Sequence, residues 1–488
     1  MKKRTLAKRA ICFCMIAFMV VGSAGIFFAG CVIKRVTIPP SDEYNIYMHF
    51  GTLPTLYAAA HVFSHTTPSY IYFSRKNTFD MDKMPAHVQL FARNEANNNN
   101  IIGAAKDLIR DINKEYPKAV FHFYVDDFRL MAAYYALLTN GIPESRFDIT
   151  IFSDGGGTYG AALTRNYADS FHYTMSINGE MEYFEPKQNG FLNWQQAKKD
   201  FEDILADFKA RPNVSRDGGN LLYGDGSGTH LIDKGKYPLP SDAPLHDANS
   251  FGCDRYAFIA AQRPNVRYWM QFPEYIWMRD DIGFEVRSQL LRATLSKVAP
   301  VDIVEALTPI NREAFFNAVI NNPENQVAGE PVDRELLDSL LLNTAKPPLI
   351  ISGANLGAGA INYFGHGANY FPDVIIEQIK ADFGAEYTLF FKPHPSFTAD
   401  NNKIKNKGIT VLPAQLPMDV LLWAYPDIAI GGYNSSLYMS VRDSNQVKFF
   451  IERIGEEGHL DNILFVLEQN GFYQSVSQKY CLHEGSNP

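Results

Sequence analysis

Twice along this chain, short apolar runs alternate with amphipathic stretches, and that rhythm limits the possible folds more than any other feature. In the first block, Ile46 to Phe50, Tyr70 to Phe73, Val120 to Val125 and Phe147 to Phe152 read as strands. Between them, Leu53 to Phe63, the stretch from Ile101 through Ala105, Leu108, Ile109 and Ile112, and Phe128 to Leu138 carry helical spacing. The second block starts after Lys346-Pro347-Pro348. Its predicted strands are Leu349 to Ile351, Leu389 to Lys392, Ile409 to Leu412, Ile428 to Ile430 and Val447 to Ile451. Its predicted helices are Val374 to Ile379, Met418 to Ala424 and Asp461 to Asn470. Alternation of this kind implies right-handed βαβ units and parallel sheets. Helical segments are also expected around Val286 to Leu295 and Arg312 to Asn321, and the Gly-, Asn- and Pro-rich stretch from Tyr159 to Asp247 as insertions over a site.

A chain of 488 residues exceeds what one core usually serves, so two α/β domains fit the length as well as the pattern. We expect a first domain over residues 44–345 and a second over 346–488, whose last helix can return to the first. A net charge of −8 argues against nucleic acid as a partner, since phosphate backbones need a basic surface.

Residues 1–35 stand apart. Lys2, Lys3, Arg4, Lys8 and Arg9 precede an uncharged run from Ile11 to Gly30, just long enough to span a bilayer core. The pair Ala29-Gly30 before Cys31 resembles a bacterial lipobox, with Phe28 where Leu is usual. Two expectations follow: a lipidated Cys31 after cleavage, or an uncleaved signal anchor, either one making the protein membrane-associated. Cys253 and Cys481, the two cysteines beyond that segment, give neither a disulfide framework nor zinc spacing.

In open parallel sheets, ligands gather beyond the carboxyl ends of the strands, and three polar clusters fall there. Phe152-Ser153-Asp154-Gly155-Gly156-Gly157 offers a carboxylate that can take a proton, on a turn whose glycines let a ligand approach the backbone. A plain Asp-Gly loop is the structural alternative. Phe391-Lys392-Pro393-His394-Pro395 holds a histidine between two prolines that stiffen its loop; Lys392 and His394 together can meet a phosphate. A surface turn is the alternative. Gly431-Gly432-Tyr433-Asn434-Ser435-Ser436 sits before a predicted helix start, where free N–H groups favour an anion; simple N-capping by Ser or Asn is the alternative. Asp80-Met81-Asp82 has the D-x-D form of metal-dependent transferases but follows no clear strand, so no metal site is expected. His230 and His366 have no partner at fixed spacing and read as loop residues.

Taken together, the three clusters resemble the bacterial sialyltransferases of glycosyltransferase family 80, with their YDDGS-type, KGHP and late SS motifs. The resemblance implies a GT-B fold: two Rossmann-like domains whose parallel sheets face each other across a cleft. It implies an inverting, metal-independent transfer of sialic acid from CMP-Neu5Ac to a galactoside-type acceptor, with no cofactor beyond that donor. On this resemblance Asp154 is the base and His394 stabilises the departing phosphate. Ser435 and Ser436 bind that phosphate, with Lys392 and Pro395 in the same donor motif. Asp419, in Met418-Asp419-Val420-Leu421, stands where the family's FEVL has a ribose-binding Glu. Ser352 and Gly353 fall on the donor side, where a Trp facing the acceptor is expected. Arg75, Asp126, Gly155 and Gly156 fall on the sugar or acceptor side. The chain departs from the family in having Ser-Asp-Gly-Gly for DDGS and Lys-Pro-His-Pro for KGHP. Two alternatives remain: a transferase of another CMP-linked nonulosonic acid or Kdo, and a non-catalytic glycan-binding surface lipoprotein.

Overall fold

A computed structural model describes residues 37–49, 51–73, 78–91, 99–153, 173–177, 180–184, 198, 201–202, 205–206, 208–210, 256–273, 293–322, 325–327, 329–353, 373–394, 401–433, 436–441, 443–453 and 478–482. Residues 41–488 form one compact unit, separate from residues 1–40.

The strands of the first block are β1 (Glu43–His49), β2 (Ser69–Phe73), β3 (Val88–Leu90), β4 (Val120–Asp126) and β5 (Phe147–Phe152). A two-stranded antiparallel pair follows, β6 (Tyr173–Ile177) and β7 (Glu180–Phe184), and then β8 (Val266–Met270) and β9 (Leu295–Lys297). The helices of this part are α1 (Thr52–Val62), α2 (Asn99–Glu115), α3 (Leu130–Leu138), α4 (Pro300–Ala306) and α5 (Pro309–Ile320). Seven strands make a wholly parallel sheet in the order β3-β2-β1-β4-β5-β8-β9.

After a short antiparallel pair, β10 (Gln326–Val327) and β11 (Glu330–Pro331), and α6 (Arg334–Leu341), the pattern restarts. It runs β12 (Pro348–Ser352), α7 (Asp373–Phe383), β13 (Thr388–Lys392), α8 (Asn401–Asn406), β14 (Thr410–Val411), α9 (Met418–Ala424), β15 (Ala429–Tyr433), β16 (Val447–Arg453) and β17 (Gln478–Leu482). These strands form a second wholly parallel sheet, β14-β13-β12-β15-β16-β17. In both sheets the order runs outward one way from the first strand and then reverses. The reversal lies between β1 and β4 in one, and between β12 and β15 in the other, so each has a switch-point crevice at its carboxyl edge.

The sequence explains the layers. In β12, Leu349 and Ile351 face one core cluster with Ile375, Ile376 and Ile379 of α7, while Ile350 faces another with Leu421 and Leu422 of α9. A strand with both faces buried has to be apolar throughout, as Leu-Ile-Ile is. That second cluster also holds Leu56 of α1, Phe152 of β5, and Phe315 and Val319 of α5, so one continuous core joins both sheets. Among its described side chains, helix α2 instead buries Ala105, Leu108, Ile109 and Ile112 and leaves Arg110 exposed, the pattern of a surface helix.

Several elements differ from expectation. Leu295 opens strand β9 rather than closing a helix, because it pairs in parallel with Tyr268 of β8. The strand expected over Ile409 to Leu412 is reduced to Thr410–Val411 before Pro413, which has no N–H to extend a ladder. The helix start expected at Ser435 is a 3₁₀ turn, Ser436–Ser440. The segments around 286 and 461–470, and the remainder of the insertion, lie outside the described residues.

Candidate active site

At the carboxyl edge of the second sheet, three neighbouring strand ends line up. Ser352 of β12 pairs with Lys392 of β13 on one side and with Gly432 of β15 on the other. Gly432 has φ +147°, and a Cβ there would lie 2.3 Å from Ser352 Oγ and 2.4 Å from Ser352 O. Only glycine lets β15 run this close to β12. One residue on, Gly353 N donates to Lys392 O at 2.9 Å, and a Cβ at Gly353 would lie 3.2 Å from His394 N. The histidine loop therefore leaves the sheet directly beside Gly353, with His394 half-buried.

Lys392 is only 3% exposed. Its ammonium donates to Pro393 O at 2.7 Å and Ala414 O at 2.9 Å. Burial lowers its pKa to about 7, against the opposing pull of Asp419. Asp419 lies in the first turn of α9, and Ser440 Oγ donates to its Oδ1 at 2.5 Å. Burial raises the Asp419 pKa, while the Ser440 bond and the Lys392 charge hold it back. Ser440 ends the 3₁₀ turn that Ser436 begins, so that turn and Asp419 are tied through the bond. Tyr438, fully buried in the same turn, turns its hydroxyl toward that of Ser352, and neither oxygen makes a well-aligned hydrogen bond.

At the carboxyl edge of the first sheet, β5 ends at Phe152 and Ser153, with Ser153 N donating to Trp269 O at 3.1 Å. That bond ties Ser153, the last described residue of this segment, to β8. Alongside, His49 ends β1 and is fully buried, its Nδ1 3.1 Å from Thr55 Oγ1. Burial, reinforced by the Arg129 charge, lowers its pKa to about 3. Asp126 ends β4, Asp127 begins the turn after it, and both are buried as well. Asp126 Oδ1 accepts from Arg129 N at 2.9 Å, capping a 3₁₀ turn, and Asp127 accepts from the Tyr268 hydroxyl. In this conformation both carboxylates are turned into the protein.

The structure thus brings Ser352, Gly353, Lys392, His394 and Asp419 to one sheet edge, and puts Asp126 at the corresponding edge of the other. Asp154, Gly155, Gly156, Arg75, Pro395 and Ser435 lie outside the described residues, as do His230 and His366, and for Ser436 only the backbone is described. Asp80 caps a 3₁₀ turn: its Oδ1 accepts from Asp82 N at 3.1 Å and its Oδ2 pairs with Lys83 at 3.1 Å. Among the described residues, no group of three or more His, Cys, Asp or Glu side chains is arranged to hold a metal ion. Nor is any described helix long and apolar enough to cross a membrane. Sequence reasoning missed Ser440 and the buried His49 and Arg129. No spacing rule brings Ser440 to Asp419, which lies 21 residues away.

Two doubly wound parallel sheets on one shared core, each with polar residues at its carboxyl edge, define a GT-B fold. Solved structures with this architecture bear that out. An α/β-galactoside α-2,3-sialyltransferase of Photobacterium phosphoreum matches with TM-score 0.56 and 14% identity, over 90% of this chain and 99% of that one. The GT-B domain of a Photobacterium damselae sialyltransferase matches with TM-score 0.55 and 16% identity, over 90% and 100%. A further sialyltransferase structure, from Photobacterium damsela, matches with TM-score 0.56 and 16% identity, over 91% and 82%. No protein-family model and no curated protein sequence matches the chain.

Proposed function

We propose that this protein is an inverting sialyltransferase that moves sialic acid from CMP-sialic acid to a galactoside-type glycan. The observation that carries the reading is the second sheet's carboxyl edge, where the His394 loop leaves beside Ser352 and Gly353 and the buried Lys392 ammonium interacts with Asp419, on a GT-B fold. Those residue types suit a nucleoside monophosphate: a carboxylate for ribose hydroxyls, close backbone and hydroxyl groups for the phosphate, and a histidine for the leaving oxygen.

The reaction is a single displacement. Asp154 takes the proton of an acceptor hydroxyl as that oxygen attacks the anomeric carbon. The bond from that carbon to the CMP phosphate oxygen breaks, and the phosphate keeps the electron pair. His394 and the Ser435-Ser436 turn stabilise the added charge by hydrogen bonds or a proton. The leaving group carries one phosphate, so there is no diphosphate for a divalent cation to bridge, and the reading expects activity without one. Residues 44–345 supply the base and the acceptor side, including Arg75, Gly155 and Gly156. Residues 346–488 hold the donor. Residues 1–35 anchor the protein at a bacterial membrane, by lipid on Cys31 or by an apolar helix.

Replacing Asp154 by Ala tests the assignment. A general base contributes about 10²–10⁴-fold. Transfer should therefore fall by at least about a hundredfold while CMP binding by calorimetry stays within twofold. Transfer at the wild-type rate contradicts the mechanism.

A further inference from the structure

We propose that Lys392 is a positioning residue: its buried ammonium clamps the loop carrying His394 to the segment leading into Asp419, without touching the donor. The clamp rests on the reading of this edge as the donor site, but its geometry stands by itself. Lys392 ends β13 and is 3% exposed. Two of its three N–H groups go to main-chain carbonyls beyond the strand ends, those of Pro393 and Ala414. Pro393 precedes His394. Ala414 lies four residues before the start of α9, whose first turn carries Asp419. Leu412 N to Phe391 O, at 2.8 Å, closes the base of the same loop pair, and Gly353 N to Lys392 O ties it to β12.

Filling the space alone does not call for a cation. A buried charge is costly, and a well-packed apolar side chain of similar volume often serves a core as well or better. The groups this ammonium bonds are the carbonyls that set the two loops, and a carboxylate attracts it from α9. Such an arrangement fixes the separation of His394 from Asp419, the distance that places a leaving phosphate over its ribose. Misplacement of about 1 Å can cost about a hundredfold in rate.

The test uses the full-length chain in detergent, with Lys392→Met, which keeps the stem and removes the donors. Lys392→Gln, which keeps a donor, serves if the Met variant does not fold. Amide exchange is read over 388–394 and 412–417, with 43–49 in the first sheet as reference, alongside CMP release from CMP-sialic acid. The clamp predicts exchange at least tenfold faster in the two loop segments and unchanged in the reference. It also predicts kcat reduced ten- to a hundredfold with acceptor KM within twofold. Turnover within twofold of wild type overturns the proposal. So does faster exchange everywhere in equal proportion, which marks a purely structural lysine. If the wild type releases no CMP, the reading of the site as a CMP-sugar site fails separately. The clamp is then judged by exchange alone, and unchanged loop exchange overturns it.

Discussion

Gly432→Ala puts the close approach of β15 to β12 at the second sheet's carboxyl edge under direct strain. The added Cβ would lie 2.3 Å from Ser352 Oγ, 2.4 Å from Ser352 O and 2.9 Å from Ser352 N. Atoms of this kind rest at about 3.5 Å, so β15 and β12 would have to part by about 1 Å. Such overpacking costs about 1–3 kcal/mol. Holding a non-glycine residue at φ +147° costs about 1–3 kcal/mol more. The sum, about 2–6 kcal/mol, is a large share of the roughly 5–15 kcal/mol by which domains are stable. Gly141→Ala is the control: φ there is +68° with nothing within 4 Å, so it carries backbone strain without contact. Urea unfolding should show Gly432→Ala losing at least about 1 kcal/mol more than the control. Adding Ser352→Gly should not restore it, because the main-chain O and N of residue 352 remain in the way. Equal losses for the two alanine variants, or full rescue, would refute the reasoning.

The remaining predictions concern acid stability and the packing of the shared core. His49 and His61 are each held near pKa 3, chiefly by burial, against about 6.5 when unfolded. The unfolded chain therefore binds protons first, so their contribution is present above pH 6.5 and is lost as pH falls toward 3. At pH 5 that loss is about 2 kcal/mol per histidine, or about 4 kcal/mol for the pair. His122, raised by its 2.7 Å bond to Asp148, opposes this, since its contribution is present at low pH and fades as pH rises through its folded pKa. Urea midpoints between pH 7 and pH 5 should fall accordingly; a flat profile would contradict the burial of His49 and His61. Arg334 lies with its guanidinium 5.5 Å from the Phe316 ring centre and 4.8 Å from that of Tyr425. Asp338 accepts from the Tyr425 hydroxyl at 2.8 Å. Arg334→Ala should cost about 1–2 kcal/mol, and its double-mutant cycle with Tyr425→Ala should show coupling above about 0.5 kcal/mol; additivity would deny the contact.

What the sequence disclosed follows from which signals are local. Buried parallel strands are apolar on both faces, so Leu349–Ile351 is plain in the sequence; Phe147–Phe152 shows by the alternation of Phe147, Ile149 and Ile151 with Asp148 and Thr150, and Met418–Ala424 is bounded by Pro417 and Tyr425. Strand β8 was hidden because it carries Arg267 on its solvent face, and β17 because Gln478 and Lys479 open it. Each follows the strand it pairs with only after a long stretch of sequence, and no local period records that. Placement of Lys392 and His394 at a strand end was legible from the apolar run before them. The inward turn of the Lys392 ammonium was not, since it depends on the Ala414 carbonyl 22 residues away. Asp126 falls on the acceptor side by the resemblance, yet its carboxylate caps a turn, and that of the neighbouring Asp127 accepts from Tyr268, partners that only the folded sheet supplies.

The most direct test of the proposed function is CMP release from CMP-Neu5Ac by the full-length chain, in EDTA, with and without lactose. The account predicts release that lactose stimulates and EDTA leaves unchanged. Absence of release together with absence of CMP binding by calorimetry would contradict it, and would point to another sugar nucleotide or a glycan-binding protein.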